Sequence, residues 1–142
     1  MKTLIMILAI ASVASCANAQ KVDASKVPAA VKTSVAKKYP STTVTKWEME
    51  DGNYEANFKQ DGKTMSAIFM PDGAFKESEV DIKTSELPPG VLDYVKANYQ
   101  GKKVADAAKV TKADGTVNYE AEVNGKDVIF DANGKFIKEE KE

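Results

Sequence analysis

The chain has 142 residues and a formal net charge of -1, long enough for one compact domain or for two half-size modules that share a core. Its 20 basic residues, all lysine, are balanced by 21 acids, so no basic stripe argues for nucleic acid, and arginine's planar fork for phosphate is missing. There is no histidine and Cys16 is the only cysteine, which excludes His-based nucleophilic catalysis, His-ligated zinc and an internal disulfide.

The chain opens on Lys2, the apolar run Leu4 to Ala11, and then small residues. That order is a secretory signal; the run is too short for a bilayer span, which needs about 20 apolar residues. Two processing sites compete. Ala17-Asn18-Ala19 suits ordinary cleavage, giving a signal of 1–19, whereas Val13-Ala14-Ser15-Cys16 has the form of a bacterial lipobox, giving a lipoprotein signal of 1–15 with Cys16 as the lipid anchor. Either route places the mature chain outside the inner membrane, in the periplasm or anchored to a membrane. Gln20 to Lys26 reads as a mobile polar leader.

From Val27 onward one pattern is written twice. Val27-Pro28, Val31, Val35 and Tyr39 return 60 residues later as Leu87-Pro88, Val91, Val95 and Tyr99. Tyr54-Glu55-Ala56 returns as Tyr119-Glu120-Ala121, Ile68-Phe69 as Ile129-Phe130, and Gly73 with Phe75 as Gly134 with Phe136. Self-similarity of this kind means one supersecondary unit used twice. The apolar spacing predicts a helix in each copy, with lysines on its other side; Pro40 and Gly101 end the two helices.

Strands follow each helix. Six of the eight glycines come after Asp or Asn, at positions 52, 62, 73, 115, 125 and 134, and such dipeptides favour type I′ hairpins. Three per copy, roughly ten residues apart, predict four antiparallel strands per copy. Tyr54, Ala56 and Phe58 alternate with Glu55, Asn57 and Lys59, as in a sheet covered by a helix on one face only. The expected fold is therefore α+β: a tandem repeat over 26–83 and 84–142, each a helix on a four-stranded antiparallel sheet, joined at Thr84-Ser85-Glu86. The charged end, Lys138 to Glu142, is expected to fray.

No catalytic constellation is present. Glu48 with Glu50, and Glu120 with Glu122, alternate with apolar residues and read as a solvated sheet face rather than as carboxyls opposed across a cleft. Asp131-Ala132-Asn133-Gly134 lacks the remaining ligands of a calcium loop, and no cofactor or metal motif occurs. Trp47, the only Trp, has its counterpart near Ala107; it either fills core space beside Met49, the preferred reading, or anchors a partner.

Val27-Pro28-Ala29-Ala30-Val31, Tyr39-Pro40, Lys46-Trp47-Glu48, Tyr54-Glu55-Ala56, Phe69, Gly73 and Phe75 together resemble the PepSY-like, β-lactamase-inhibitor-like (BLIP-like) proteins exported by Bacteroidetes-type bacteria, over Lys26 to about Lys138. The resemblance implies a helix laid on a four-stranded sheet in two copies, an exported protein, and similarity to an inhibitor that grips its enzyme with a sheet surface. It carries over no functional residues. The expected function is non-enzymatic binding of another protein, in its concrete form inhibition of a periplasmic hydrolase or peptidase. Glu48, Glu50, Glu55 and Trp47 are the candidate partner-binding residues, and a monomer is favoured. A small-ligand or envelope-stress sensing module, using an apolar pocket between helix and sheet, is the alternative.

Overall fold

The computed structural model describes residues 19–141, so the signal segment and Cys16 lie outside the described residues. The chain runs β1 (Gln20–Val22), a 3₁₀ turn (Ala24–Lys26), α1 (Ala29–Lys38), β2 (Lys46–Glu50), β3 (Asn53–Gln60), β4 (Lys63–Phe69) and β5 (Phe75–Ile82). A second 3₁₀ turn (Thr84–Glu86) leads to α2 (Val91–Asn98), β6 (Ala107–Lys112), β7 (Val117–Glu122), β8 (Lys126–Asp131) and β9 (Phe136–Lys141). The nine strands make one antiparallel sheet in chain order, each paired with its sequence neighbours.

Both ends of the described chain differ from expectation. Gln20 to Val22 is no mobile leader: it pairs with Met49 to Trp47 as an edge strand. Lys138 to Lys141 does not fray, because it lies in β9, paired with β8. In each case the backbone gains a ladder partner that outweighs the polar side chains. The charged side chains of β9 suit an outer edge, since charge there deters pairing with a second chain.

Cross-strand partners share a sheet face, so the register places the two cores. Val22, Trp47, Ala56, Ala67 and Ser78 are successive partners from β1 to β5; Ile82, Ala107, Ala121 and Val128 continue from β5 to β8. Ser78 and Ile82 differ by an even number of residues on β5, so both rows occupy one face. Val31 and Val35 of α1 pack on the first row with Phe58 and Phe69. Val91 and Val95 of α2 pack on the second with Val123 and Phe130. Ala56, Ala67 and Ala121, all fully buried, let each helix approach the sheet closely. No buried residue among those described is polar or charged.

The helix ends follow local chemistry. Pro28 is the N-cap of α1 rather than part of its first turn, and Gly90, at φ 97°, precedes α2. Tyr39 and Tyr99 close the helices, their N–H groups donating to Val35 and Val95 at 2.8 Å.

The six Asp/Asn-Gly dipeptides split into two kinds. Both turn residues have positive φ at Asp51-Gly52, Asp61-Gly62 and Asn124-Gly125, as a type I′ hairpin needs. At Asp72, Asp114 and Asn133 only the following Gly does. There a side chain organises the turn instead: the Asp72 and Asp114 carboxylates accept from the N–H groups of Ala74 and Thr116, and that of Asp131 from Asn133 and Lys135. Gly73 and Gly134 also meet a packing limit. A Cβ on Gly73 would lie 2.8 Å from the Ala30 carbonyl, and one on Gly134 would lie 2.7 Å from that of Pro89. These two turns tuck beneath the starts of the two helices, which is why both keep glycine.

Candidate functional site: the open face of the sheet

The face turned away from both helices carries the intervening residues of every strand. Its first-half row runs Lys21, Glu48, Glu55, Ile68 and Glu77. Its second-half row runs Asp81, Ala108, Glu120, Ile129 and Lys138.

Glu48 is on this face but already partnered. Its carboxylate takes Lys46 Nζ at 2.8 Å and accepts from Asn57 Nδ2 at 3.1 Å. Glu55 stands directly opposite Glu48, a like-charge pairing that costs stability. Glu50 shares the face, and burial, with Glu55 and Asp51 nearby, pushes its carboxyl up. Trp47 is not on this face: it is 8% exposed and packs in the first core, because strand alternation sends it to the side opposite Glu48.

An acidic depression lies elsewhere, where β5 of the first half meets β6 and β7 of the second. Glu79, Asp81, Asp106, Glu120, Glu122 and Asp127 line a depression of about 440 Å³. Asp81 and Glu120 flank Ala108, whose small side chain leaves the dent. Burial raises the Glu79 carboxyl to about 7, with Glu55, Asp81, Asp127 and Glu77 adding repulsion. Burial likewise raises Glu120 to about 7, with Glu79 and Asp127 next in effect. Near neutral pH this basin therefore holds protons that a cationic surface would displace.

Sixty residues upstream, Lys21 and Glu48 stand where Asp81 and Ala108 stand here, so at these two positions the first half carries a cation and the second does not. The signal was in the chain: Glu77, Glu79 and Asp81 at alternate positions, and Glu120 with Glu122. Only the pairing of β5 with β6 and of β6 with β7 brings them together.

Among the described residues no group of three or more His, Cys, Asp or Glu is arranged to hold a metal ion, and no helix is long and apolar enough to cross a membrane. The family described as "Putative beta-lactamase-inhibitor-like, PepSY-like" matches residues 14–66 and 58–138. The chain belongs to this PepSY-like family.

Solved structures share the fold. A BLIP-like protein from Bacteroides fragilis is 25% identical with a TM-score of 0.66, over 80% of this chain and 85% of that one. A DUF2874 family protein from Bacteroides uniformis is 23% identical with a TM-score of 0.71, over 79% and 87%. A structure from Bacteroides eggerthii described as "putative periplasmic proteins" is 19% identical with a TM-score of 0.72, over 80% and 88%. No curated protein matches the chain. The PepSY-like family is not a known enzyme family, and the BLIP-like fold takes the form here of a nine-stranded antiparallel sheet with two helices.

Proposed function

We propose that this PepSY-like chain is a non-enzymatic, exported envelope protein that binds a basic protein partner through the open face of its sheet. Inhibition of a periplasmic hydrolase or peptidase is the concrete form. The observation that carries the reading is the basin at the β5–β6–β7 junction, where Glu79 and Glu120 are raised to about 7 first by burial and then by the charge of the surrounding carboxylates. A cationic side chain docked there relieves the repulsion and sets the partner's orientation. The antiparallel ladder on both sides holds the carboxylates in place, so binding orders little that is not already ordered. The same acidity argues against nucleic acid.

The periplasmic description of the Bacteroides eggerthii structure and the signal-like N-terminus support export. On this reading Cys16 is the lipid anchor, and the protein meets the membrane only there. We read the two helix-on-sheet halves as a tandem duplication, because Val22–Trp47 and Ile82–Ala107 pair identically 60 residues apart. The test is capture of envelope proteins from the producing organism on the full chain and on the Glu79→Gln/Glu120→Gln variant. One basic hydrolase retained by the first and released by the second is expected; identical captures sink the proposal.

A further inference from the structure

The second half has a groove at the C-terminal end of α2. Leu92, Val95 and Tyr99 of the helix region and Val104 of the following loop give it an apolar floor, and Lys96, Lys102 and Lys103 stand at its rim. It holds about 460 Å³, within the range of roughly 300–1,000 Å³ usual for small-molecule sites. Leu92 is 51% exposed. None of the three lysines forms an ion pair among the described residues.

The repeat alone does not dictate this lining, because the first half has other residues at the matching positions. Sixty residues upstream the same backbone positions carry Lys32, Ala36, Thr42 and Thr43 in place of Leu92, Lys96, Lys102 and Lys103. There Tyr39 packs against Phe58 with ring centroids 4.8 Å apart. In the second half the fully buried residue at the matching place, next to the hairpin turn, is Val123, and the β7–β8 hairpin is shorter in its strands than β3–β4, with a two-residue turn in both. Among the described residues Tyr99 has no ring partner, and its hydroxyl donates to Glu139, which also takes Lys126. An apolar surface opens beside it, with cations added around it.

We propose that this groove binds a single-chain amphiphilic anion, a long-chain carboxylate, with the alkyl chain along Leu92, Val95 and Val104 and the carboxylate among Lys96, Lys102 and Lys103. The site is separate from the acidic face and does not depend on it. The match is of charge and of chemistry: an apolar floor of Leu92, Val95, Tyr99 and Val104, and three lysines without an ion pair among the described residues beside it.

The test is a heteronuclear NMR titration of the full chain with dodecanoate, with dodecanol and dodecyltrimethylammonium as controls, all below micelle formation. Shifts confined to Leu92–Val104 with dodecanoate, and weaker by about tenfold or more with the other two, are expected. Leu92→Lys, which copies the first half, abolishes binding. Lys96→Gln/Lys102→Gln/Lys103→Gln weakens it by about tenfold or more. The thermal melt of each variant reports folding separately. Equal binding of all three amphiphiles, shifts on the open sheet face, or no saturable shift in a well-folded protein would overturn the proposal. So would binding to anionic phospholipid vesicles without binding to monomeric dodecanoate, because that result marks a membrane-docking surface.

Discussion

The two helix-on-sheet halves share a frame and differ in where they put their bulk. In the first half, mass gathers at the far end of the helix, where Tyr39 meets Phe58 and Trp47 joins the same core. In the second half that end is lighter, with Ala107 and Val123, and the rings gather at the helix start. There Tyr94 stacks on Phe136 at 4.8 Å and meets the Phe130 edge at 5.5 Å. The residue matching Tyr94 upstream is Ser34, beside which Lys38 sits 4.0 Å above the Phe75 ring. Cores are close-packed in both cases, but the second half leaves its far end open to form a groove. Equal folding constraints thus allow unequal surfaces. The same holds for the opposite face, where a mixed row in the first half becomes an acidic basin in the second.

The comparison can be broken hardest at Trp47. Trp47→Ala gives the first half the residue of the second and should cost about 3–5 kcal/mol in denaturant unfolding. A cost below about 1 kcal/mol would mean that Trp47 does not support the first core. Next come the turns beneath the helices. Gly134→Ala combines a positive φ of 82° with a Cβ clash and should cost about 2–4 kcal/mol. Gly52→Ala meets nothing within 4 Å and should cost only about 1 kcal/mol. Equal losses would show that close approach to the helix is not what holds glycine at Gly134.

The basin predicts a pH dependence of smaller size. Glu79 and Glu120 have folded pKa values raised from 4.5 to about 7, so between those limits the folded state binds more protons than the unfolded one. Stability from these groups is full below about 4.5, is lost as pH rises to about 7, and stays flat above. Discounted for solvent, the two together amount to about 1–2 kcal/mol. Thermal melts from pH 5 to about 8 should fall for the native chain and flatten for Glu79→Gln/Glu120→Gln; the same slope in both would remove the basin as its cause. Smallest of all, Lys38→Met should cost about 0.5–1 kcal/mol through the lost contact with Phe75, and nothing if that cation is held by solvent alone.

Much of this fold was legible because it rests on local signals. Helical spacing at Val31 and Val35, alternation at Tyr54, Ala56 and Phe58, and Asp/Asn-Gly turns each report on a few neighbouring residues. The ends were misread because Gln20–Val22 and Lys138–Lys141 look polar by themselves, and only their ladder partners make them strands. The acidic basin escaped for the same reason. Glu79 and Asp81 are far in sequence from Glu120 and meet it only through β5–β6 and β6–β7 pairing, which no local pattern announces. Glu48, Glu50 and Glu55 were legible as a polar face, but that Glu48 is tied to Lys46 and Asn57 depends on geometry.

The measurement that tests the central claim most directly is capture of envelope proteins on the full chain at about 0.05 M and about 0.3 M salt, beside Glu79→Gln/Glu120→Gln, because screening length shortens over that range. The account predicts one basic partner held at low salt, weakened at high salt and lost from the variant. A partner held equally by both proteins at both salt concentrations, or no partner at low salt, would contradict it.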